Sequence, residues 1–307
     1  MRALVTGATG FVGTYLVEAL RNNGHEVLPC GGPQDETALP VDITDAAAVR
    51  AAIDLARPDV VFHLAAMAFV PDALADPRAA YEINTLGTAV VARAIREYGN
   101  EQNTSVRLVF TSSADVYGAQ PPDAFPLRED RALAPANPYA ASKAAAEMLL
   151  LGEAASFGLD AVIARSFNHI GPGQSDRFVV ASFAAQLAAI AHGGPPQLYV
   201  GNLDAKRDFL DVRDVVRAYM ALAEHGRAGE VYNVCSGAAR SIRDVLRELI
   251  IAAHVPVEVR DDPARMRPSD VPLFVGDASK LHQRTGWEPQ IAFTASIRDI
   301  YRVAANR

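Results

Sequence analysis

Tyr139 and Lys143 lie four residues apart, and a phenol beside an ammonium group is a pair that can move a proton. They follow Asn137 and Pro138, which are favoured at the N-cap and the first position of a helix. Both side chains are therefore expected on one face of a helix that begins here. The lysine charge and the positive end of the helix dipole favour the phenolate, which predicts that the pKa of Tyr139 is lowered from about 10 toward neutrality. The alternative is an ordinary helix start with one exposed aromatic and one exposed lysine.

A glycine-rich segment follows the first apolar run of the chain, residues 2–6, and leads into a helical apolar pattern. Its spacing is Gly-x-x-Gly-x-x-Gly. Glycines at these positions allow a tight turn and let backbone N–H groups approach a pyrophosphate at the start of a helix. The alternative is a glycine-rich turn that binds nothing. The candidate cofactor contacts in this segment are Gly7, Thr9, Gly10, Phe11, Val12 and Gly13.

Strand and helix patterns alternate with short connections through the first half of the chain, as in a parallel, doubly wound sheet. We interpret residues 1–165 as a dinucleotide-binding domain to which part of 208–234 returns, and 166–307 mainly as a substrate-binding lobe. After the glycine segment, the predicted elements are a helix at 45–57, a strand at 59–64, a helix at 78–98, a strand at 107–112, a helix from 139 to about 157 and a strand at 160–165.

The glycine segment and the Tyr139/Lys143 pair together resemble the extended branch of the short-chain dehydrogenase/reductase superfamily, the NAD-dependent epimerase/dehydratase family. The resemblance implies a Rossmann-like α/β fold with a smaller, interleaved C-terminal lobe, and NADP(H) or NAD(H) as cofactor. It implies that Tyr139 donates the proton, that Lys143 tunes it, and that Ser113, five residues before Gly118, is the third catalytic residue. It also implies that both Tyr139 and Lys143 contact the cofactor. The further cofactor contacts that it implies are Asp42, Ile43, Leu64, Ala65 and Ala66.

The end of the second predicted strand bears on the choice between NAD and NADP. An acid at that point binds the adenosine ribose of NAD, whereas an arginine accommodates the phosphate of NADP. The strand here ends in Gly31-Gly32-Pro33-Gln34 and carries neither signal, and we interpret Asp35 as a loop residue. The missing acid slightly favours NADP(H).

Ala114 and Asp115 bear on the type of reaction. In the resembled family, dehydratases carry a glutamate three residues before the glycine as the base for elimination, and some add an aspartate just before it. Asp115 is one methylene shorter than that glutamate, and Ala114 has no ionisable group. A misplacement of about 1 Å costs around a hundredfold in rate, so the segment favours simple ketone reduction over elimination.

Further segments resemble those that bind a GDP-linked sugar in this family. Guanidinium groups suit a diphosphate, since their donors form a planar fork. Each arginine taken alone is equally well explained as a solvated surface charge. The family often has glutamate where this chain has aspartate at 270. The candidate substrate contacts are Ser113, Asp115, Asn168, Val179, Arg207, Arg267 and Asp270.

Over the whole chain the resemblance implies an oxidoreductase that reduces the 4-keto group of GDP-4-dehydro-6-deoxy-D-mannose to GDP-D-rhamnose with NAD(P)H. The alternatives in the same family are a GDP-mannose 4,6-dehydratase and another nucleotide-sugar epimerase or dehydratase. An alternative of a different class is a non-catalytic dinucleotide-binding sensor, but such members typically lose the tyrosine or the lysine.

The composition limits partners and location. A net charge of −7 argues against a nucleic-acid surface, and no stretch is apolar enough to span a bilayer. The two cysteines are expected to be buried thiols, and the seven histidines lack the spacing of a metal site. A strand that begins at residue 2 leaves no room for a signal peptide, so we expect a cytoplasmic protein. Apolar residues surround the helices at 78–98 and 140–157, which indicates either burial or a helical homodimer contact, and the resemblance favours the homodimer.

Overall fold

A parallel sheet forms the frame of the protein in the computed structural model, which describes residues 1–265 and 271–306. The order of its strands is β3-β2-β1-β4-β5-β6-β10, and every neighbouring pair is parallel. The predicted doubly wound parallel sheet is confirmed. The strands of this sheet are β1 (Arg2–Thr6), β2 (Glu26–Gly31), β3 (Leu39–Pro40), β4 (Val60–His63), β5 (Arg107–Ser113), β6 (Ala161–Ser166) and β10 (Glu230–Val234).

Helices cover both faces of this sheet, because its strands are apolar on both sides. One apolar core joins the sheet to α1 and α8, and a second joins it to α2, α5 and α6. The helices of the chain are α1 (Phe11–Asn22), α2 (Ala46–Ala56), α3 (Val70–Ala75), α4 (Pro77–Tyr81), α5 (Thr88–Gln102), α6 (Pro138–Phe157), α7 (Val179–Ala191), α8 (Val212–His225), α9 (Ile242–Ala253), α10 (Ser279–Thr285) and α11 (Phe293–Ala305).

A smaller lobe has its own apolar core between α7, α9 and α11. Strand β9 pairs with β7, β11 and β13, and β8 pairs with β12. Strand β10 lies in the large sheet, although it follows β9 in the chain. The division at residue 165 stays a prediction. The strands of this lobe are β7 (Asn168–Ile170), β8 (Gln197–Val200), β9 (Lys206–Asp211), β11 (Ala239–Ser241), β12 (Glu258–Asp261) and β13 (Leu273–Phe274).

The segment predicted as one helix over 78–98 is divided in the structure. A π-helical stretch, Glu82–Gly87, separates α4 from α5. The wider turn directs two of its side chains to α6: Asn84 Nδ2 donates to Ser142 Oγ at 2.9 Å, and Thr85 Oγ1 donates to the Ser142 carbonyl at 2.9 Å. A uniform 3.6-residue pattern could not anticipate this change of pitch. No helix in the described residues is long and apolar enough to cross a membrane.

Candidate functional site

The glycine segment forms a backbone cradle at the end of β1. Gly7 has a φ of +69°, and a Cβ atom there would lie 2.7 Å from the Ala65 nitrogen. A Cβ atom on Gly13 would lie 2.1 Å from the Gly7 carbonyl oxygen. Gly10 is the N-cap of helix α1 and provides no side-chain hydrogen bond to it, and the first turn of the helix carries no acid. This close-packed loop, with the N–H groups of a helix start above it, fits the pyrophosphate of a dinucleotide.

The start of α6 matches the sequence prediction. Asn137 caps the helix by accepting a hydrogen bond from the Ala140 nitrogen at 2.9 Å, and Pro138 occupies the first turn. Tyr139 and Lys143 lie on the buried face of α6, with exposed fractions of 9% and 3%. The interpretation as an exposed aromatic and an exposed lysine is therefore wrong.

The pKa of Tyr139 shifts in the opposite direction to our prediction. Burial raises this pKa, the negative charge of Asp115 raises it further, and a hydrogen bond with Ser113 opposes the shift. Lys143 donates its hydrogen bond elsewhere, to the Thr111 carbonyl at 2.7 Å. Desolvation thus outweighs the helix dipole. Tyr139 remains protonated at neutral pH, with its phenol beside the Ser113 hydroxyl.

Lys143 is held in an apolar setting with a buried ion pair behind it. Its Nζ lies 4.7 Å from the centre of the Phe110 ring, and burial lowers its pKa to about 7 against the opposing charge of Glu147. The Glu147 carboxylate accepts from Arg165 Nη2 at 2.7 Å and from Ser112 Oγ at 2.5 Å. The pair therefore ties α6 to the carboxyl ends of β5 and β6.

One cavity of ≈ 640 Å³ joins the glycine cradle to these hydroxyl groups. It opens where the carboxyl ends of β1, β4, β5 and β6 meet, the usual ligand position in a doubly wound sheet. The predicted residues that line it are Gly7, Gly10, Phe11, Val12, Gly13, Leu64, Ala65, Ala66, Ser113, Asp115, Tyr139, Lys143 and Asn168.

Several other predicted contacts do not line this cavity. Thr9 faces a groove between α1 and β2, and Asp42 accepts from the Thr44 hydroxyl at 2.7 Å. Ile43 is buried in the core, and Val179 is exposed at the start of α7. The Arg207 guanidinium donates to the Val271 carbonyl at 2.6 Å. Arg267 and Asp270 lie outside the described residues. The ligand contacts of all these residues stay predictions.

Sequence reasoning missed a group of contacting side chains that line the cavity. The guanidinium of Arg177 lies 3.9 Å from the centre of the Phe69 ring and donates to Asp72 at 2.5 Å. Phe69 also packs edge-on against Phe178, with ring centres 5.4 Å apart. These residues come from the loop and helix after β4 and from the segment before α7. Their pairing joins positions about 105 residues apart, and no local sequence signal could reveal it.

Another missed residue is His169, which lines the cavity and stacks on Phe11 with ring centres 6.1 Å apart. Burial lowers the pKa of His169, so the ring is neutral near pH 7. The resemblance had indicated its neighbour Asn168 as a substrate contact. The position of His169 next to Asn168 was the sequence feature that could have pointed to it.

Comparison with known proteins agrees with this geometry. The family model described as GDP-mannose 4,6 dehydratase matches residues 4–300. The chain belongs to this family. It is 41% identical to GDP-6-deoxy-D-mannose reductase from Pseudomonas aeruginosa, over 97% of this chain and 95% of that protein.

Solved structures show the same architecture. RMD from Pseudomonas aeruginosa, complexed with NADPH, superposes with a TM-score of 0.90 at 37% identity and covers 100% of this chain and 99% of that chain. UDP-glucose 4-epimerase from Thermus thermophilus, complexed with NAD, gives 0.86 at 34% identity and covers 99% of both chains. The predicted resemblance, the Rossmann-like fold and the assignment to NAD(P)-dependent enzymes are confirmed.

Proposed function

We propose that the protein is an oxidoreductase that reduces the 4-keto group of GDP-4-dehydro-6-deoxy-D-mannose to GDP-D-rhamnose with NAD(P)H. The observation that carries this proposal is the pairing of the Ser113 and Tyr139 hydroxyl groups in the cavity that also contains the glycine cradle. Ketone reduction needs a hydride donor, a proton donor and a group that polarises the carbonyl oxygen. A nicotinamide cofactor supplies the hydride when bound, and the side chains supply the other two.

Tyr139 is the proton donor in this proposal. Its raised pKa keeps the phenol protonated at neutral pH, which is the form needed to protonate O4 of the sugar. Ser113 donates a hydrogen bond to the same oxygen, since the two hydroxyl groups already lie together. Lys143 holds the carboxyl end of β5 through the Thr111 carbonyl. It would orient the ribose of the bound cofactor, and Gly7, Gly10 and Gly13 would hold the pyrophosphate.

The segment after β5 supports reduction over dehydration. Ala114 is buried, with an exposed fraction of 2%, and alanine has no ionisable group, so position 114 provides no acid or base. Asp115 lines the cavity, and its charge raises the pKa of Tyr139.

The relatives support the same substrate. The chain matches a protein named GDP-6-deoxy-D-mannose reductase over 97% of its length at 41% identity, whereas its identity to GDP-mannose 4,6 dehydratase 2 of Arabidopsis thaliana is 28%. Asn168, Val179, Arg207, Arg267 and Asp270 remain proposed contacts to the GDP-linked sugar.

The test is turnover of GDP-4-dehydro-6-deoxy-D-mannose with NADH and with NADPH, followed by NMR of the product sugar. We expect GDP-D-rhamnose, with kcat lowered by roughly 10²–10⁴ in Tyr139→Phe, which removes only the acidic hydroxyl. Tyr199→Phe, at an exposed position on β8 away from the cavity, is the matched control and should leave kcat unchanged. A Tyr139→Phe enzyme as active as the wild type would contradict the mechanism, and formation of 6-deoxytalose would contradict the product.

A second assay separates the dehydratase alternative. The protein is incubated with GDP-mannose and catalytic NADP, and the 4-keto product is measured. We expect no rapid formation of the keto sugar. Rapid formation would overturn the assignment as a reductase.

We also propose a homodimer and a cytoplasmic location. Large apolar side chains are exposed on the helical segments predicted as the dimer contact, with exposed fractions of 58% for Leu86 and 51% for Met148. Light scattering after size exclusion tests this, and Leu86→Arg should shift the mass from dimer to monomer. The cytoplasm agrees with the free thiols of Cys30 and Cys235, which persist in a reducing compartment. Cell fractionation tests this location.

A further inference from the structure

The loop after β2 folds back onto the strand end and brings an acid to it. The Asp35 nitrogen donates to the Gly32 carbonyl at 3.0 Å, which closes a turn. A Cβ atom built on Gly31, the last residue of β2, would lie 2.5 Å from Asp35 Oδ2 and 2.6 Å from its Cγ. The Asp35 carboxyl group thus occupies the space that a side chain at position 31 would take.

Hydrogen bonds from two sides hold this carboxylate. Thr37 donates to Oδ1 from its nitrogen at 2.8 Å and from its hydroxyl at 2.7 Å. A hydrogen bond from the Thr9 hydroxyl, in the glycine segment, is the largest of the contributions that lower the pKa of Asp35, and those from Thr37 follow. The Ala8 nitrogen donates to the Cys30 carbonyl at 3.0 Å, so the glycine cradle and the end of β2 are neighbours. Asp35 is an ionised group beside the cradle, held in place by the loop.

The charge around the strand end is negative. The chain has no lysine or arginine between positions 22 and 49, and its acids there are Glu26, Asp35, Glu36, Asp42 and Asp45. Arg50 pairs with Asp54 and Glu101. Arg21 lies in the last turn of α1, in the groove that also contains Thr9 and Glu18. A phosphate group at the end of β2 would therefore lie beside the Asp35 carboxylate. The loop that carries Asp35 has no arginine to neutralise that phosphate.

We propose that Asp35 determines cofactor specificity: its carboxylate accepts hydrogen bonds from the adenosine ribose hydroxyls and repels a 2′-phosphate, so the protein prefers NADH to NADPH. The proposal rests on the dinucleotide site of the proposed function. An acid at the end of the second strand has this effect in nucleotide-binding sheets generally, and here it comes from four residues beyond the strand. Solved relatives are complexed with NADPH or with NAD, so the residues of each chain decide the choice. The proposal differs from the slight preference for NADP(H) that the strand end alone indicated, and binding measurements decide between the two.

The test measures binding rather than turnover. The Kd values of NADH and NADPH are determined by nicotinamide fluorescence for the wild type and for Asp35→Ala. We expect the wild type to bind NADH at least about tenfold more tightly than NADPH. NADH gains a charge-assisted hydrogen bond from its ribose to Asp35, whereas the phosphate of NADPH is repelled by that carboxylate. In Asp35→Ala the Kd of NADH should rise and that of NADPH should fall, so that the ratio approaches one.

Two further variants make the result specific. Gly31→Ala keeps every charge but places a Cβ atom where the Asp35 carboxyl group lies, so it should reduce the preference for NADH as Asp35→Ala does. Glu36→Gln removes one charge from the exposed neighbour and should leave the ratio unchanged. Melting temperatures establish that each variant is folded.

Several outcomes would overturn the proposal. These are equal or tighter binding of NADPH by the wild type, an unchanged ratio in Asp35→Ala, or an effect of Glu36→Gln as large as that of Asp35→Ala. If the wild type binds NADPH tightly and Arg21→Ala abolishes that binding, the protein prefers NADPH and Arg21 of α1 binds its phosphate. The assay contains no sugar, so a protein that binds NADH selectively but does not reduce the keto sugar would refute the proposed function alone.

Discussion

Replacing Lys143 by methionine should make the protein more stable near pH 7, and the gain should fall as the pH rises. Lys143 is 3% exposed, and burial lowers its pKa from an ordinary value of 10.5 to about 7. That difference corresponds to about 5 kcal/mol in favour of the neutral amine. Methionine fills a similar volume without a charge, although the hydrogen bond to the Thr111 carbonyl is lost. Lys143, which the proposed chemistry requires, thus lowers the free energy of unfolding.

The direction of the pH dependence follows from proton binding. Between pH 7 and 10.5 the unfolded chain keeps a proton on Lys143 that the folded chain has released, so wild-type stability rises with pH in this window. Below pH 7 both states are protonated and the full cost is present. The slope is about 1.4 kcal/mol per pH unit, which amounts to roughly 5 °C in melting temperature between pH 7 and 9.

The assay is thermal unfolding of the wild type and Lys143→Met at intervals from pH 6 to 9, without added cofactor. The difference in melting temperature cancels the other titrating groups. It should favour the variant at pH 6–7 and then shrink by roughly 5 °C. Lys206→Met, at an exposed position on β9, is the matched control and should give a difference that does not vary with pH. A constant difference for Lys143→Met, or one that grows with pH, would refute the reasoning.

Two further substitutions test the cradle and the ion pair behind the site. Gly13→Ala places a Cβ atom 2.1 Å from the Gly7 carbonyl oxygen and should raise the Kd of NADH by more than about tenfold in a fluorescence titration, whereas Gly152→Ala, with no atom within 4 Å of its Cβ position, should leave the Kd unchanged. Glu147→Gln leaves the 4%-exposed Arg165 guanidinium without its carboxylate and should lower the free energy of unfolding in urea by about 3–5 kcal/mol. Adding Arg165→Met should recover most of that loss, and a double variant less stable than Glu147→Gln would contradict this account.

The elements that position the site could be predicted because they obey local rules. Helix α6 begins where Asn137 and Pro138 predict, since capping depends on residues within one turn. The glycine spacing predicted the turn after β1, because the close approaches at Gly7 and Gly13 admit no side chain. The division of the helix at 78–98 escaped prediction, because it depends on hydrogen bonds to Ser142 of another helix.

The electrostatics of the pair could not be predicted for a related reason. From the sequence, Lys143 and the helix dipole were expected to lower the pKa of Tyr139. The dominant influence is burial, which depends on the whole fold and acts on both groups in the direction of the neutral form. The phenol of Tyr139 therefore stays protonated at neutral pH, which is the form that the proposed role of proton donor requires.

The proposed cofactor preference separates the position of a residue in the sequence from the chemistry that its side chain provides. The rule for distinguishing NAD from NADP depends on the side chain of the last residue of β2. That residue is Gly31, which has no side chain. The absence of a Cβ atom there is what allows the Asp35 carboxyl group to lie against the strand end. Thr9 and Thr37 then hold the carboxylate from the cradle and from the loop. A carboxylate can accept a hydrogen bond from a ribose hydroxyl when it lies at the right place, whichever residue of the sequence carries it. Gly31, which carries no side chain of its own, therefore makes room for the carboxyl group that we propose as the ribose acceptor.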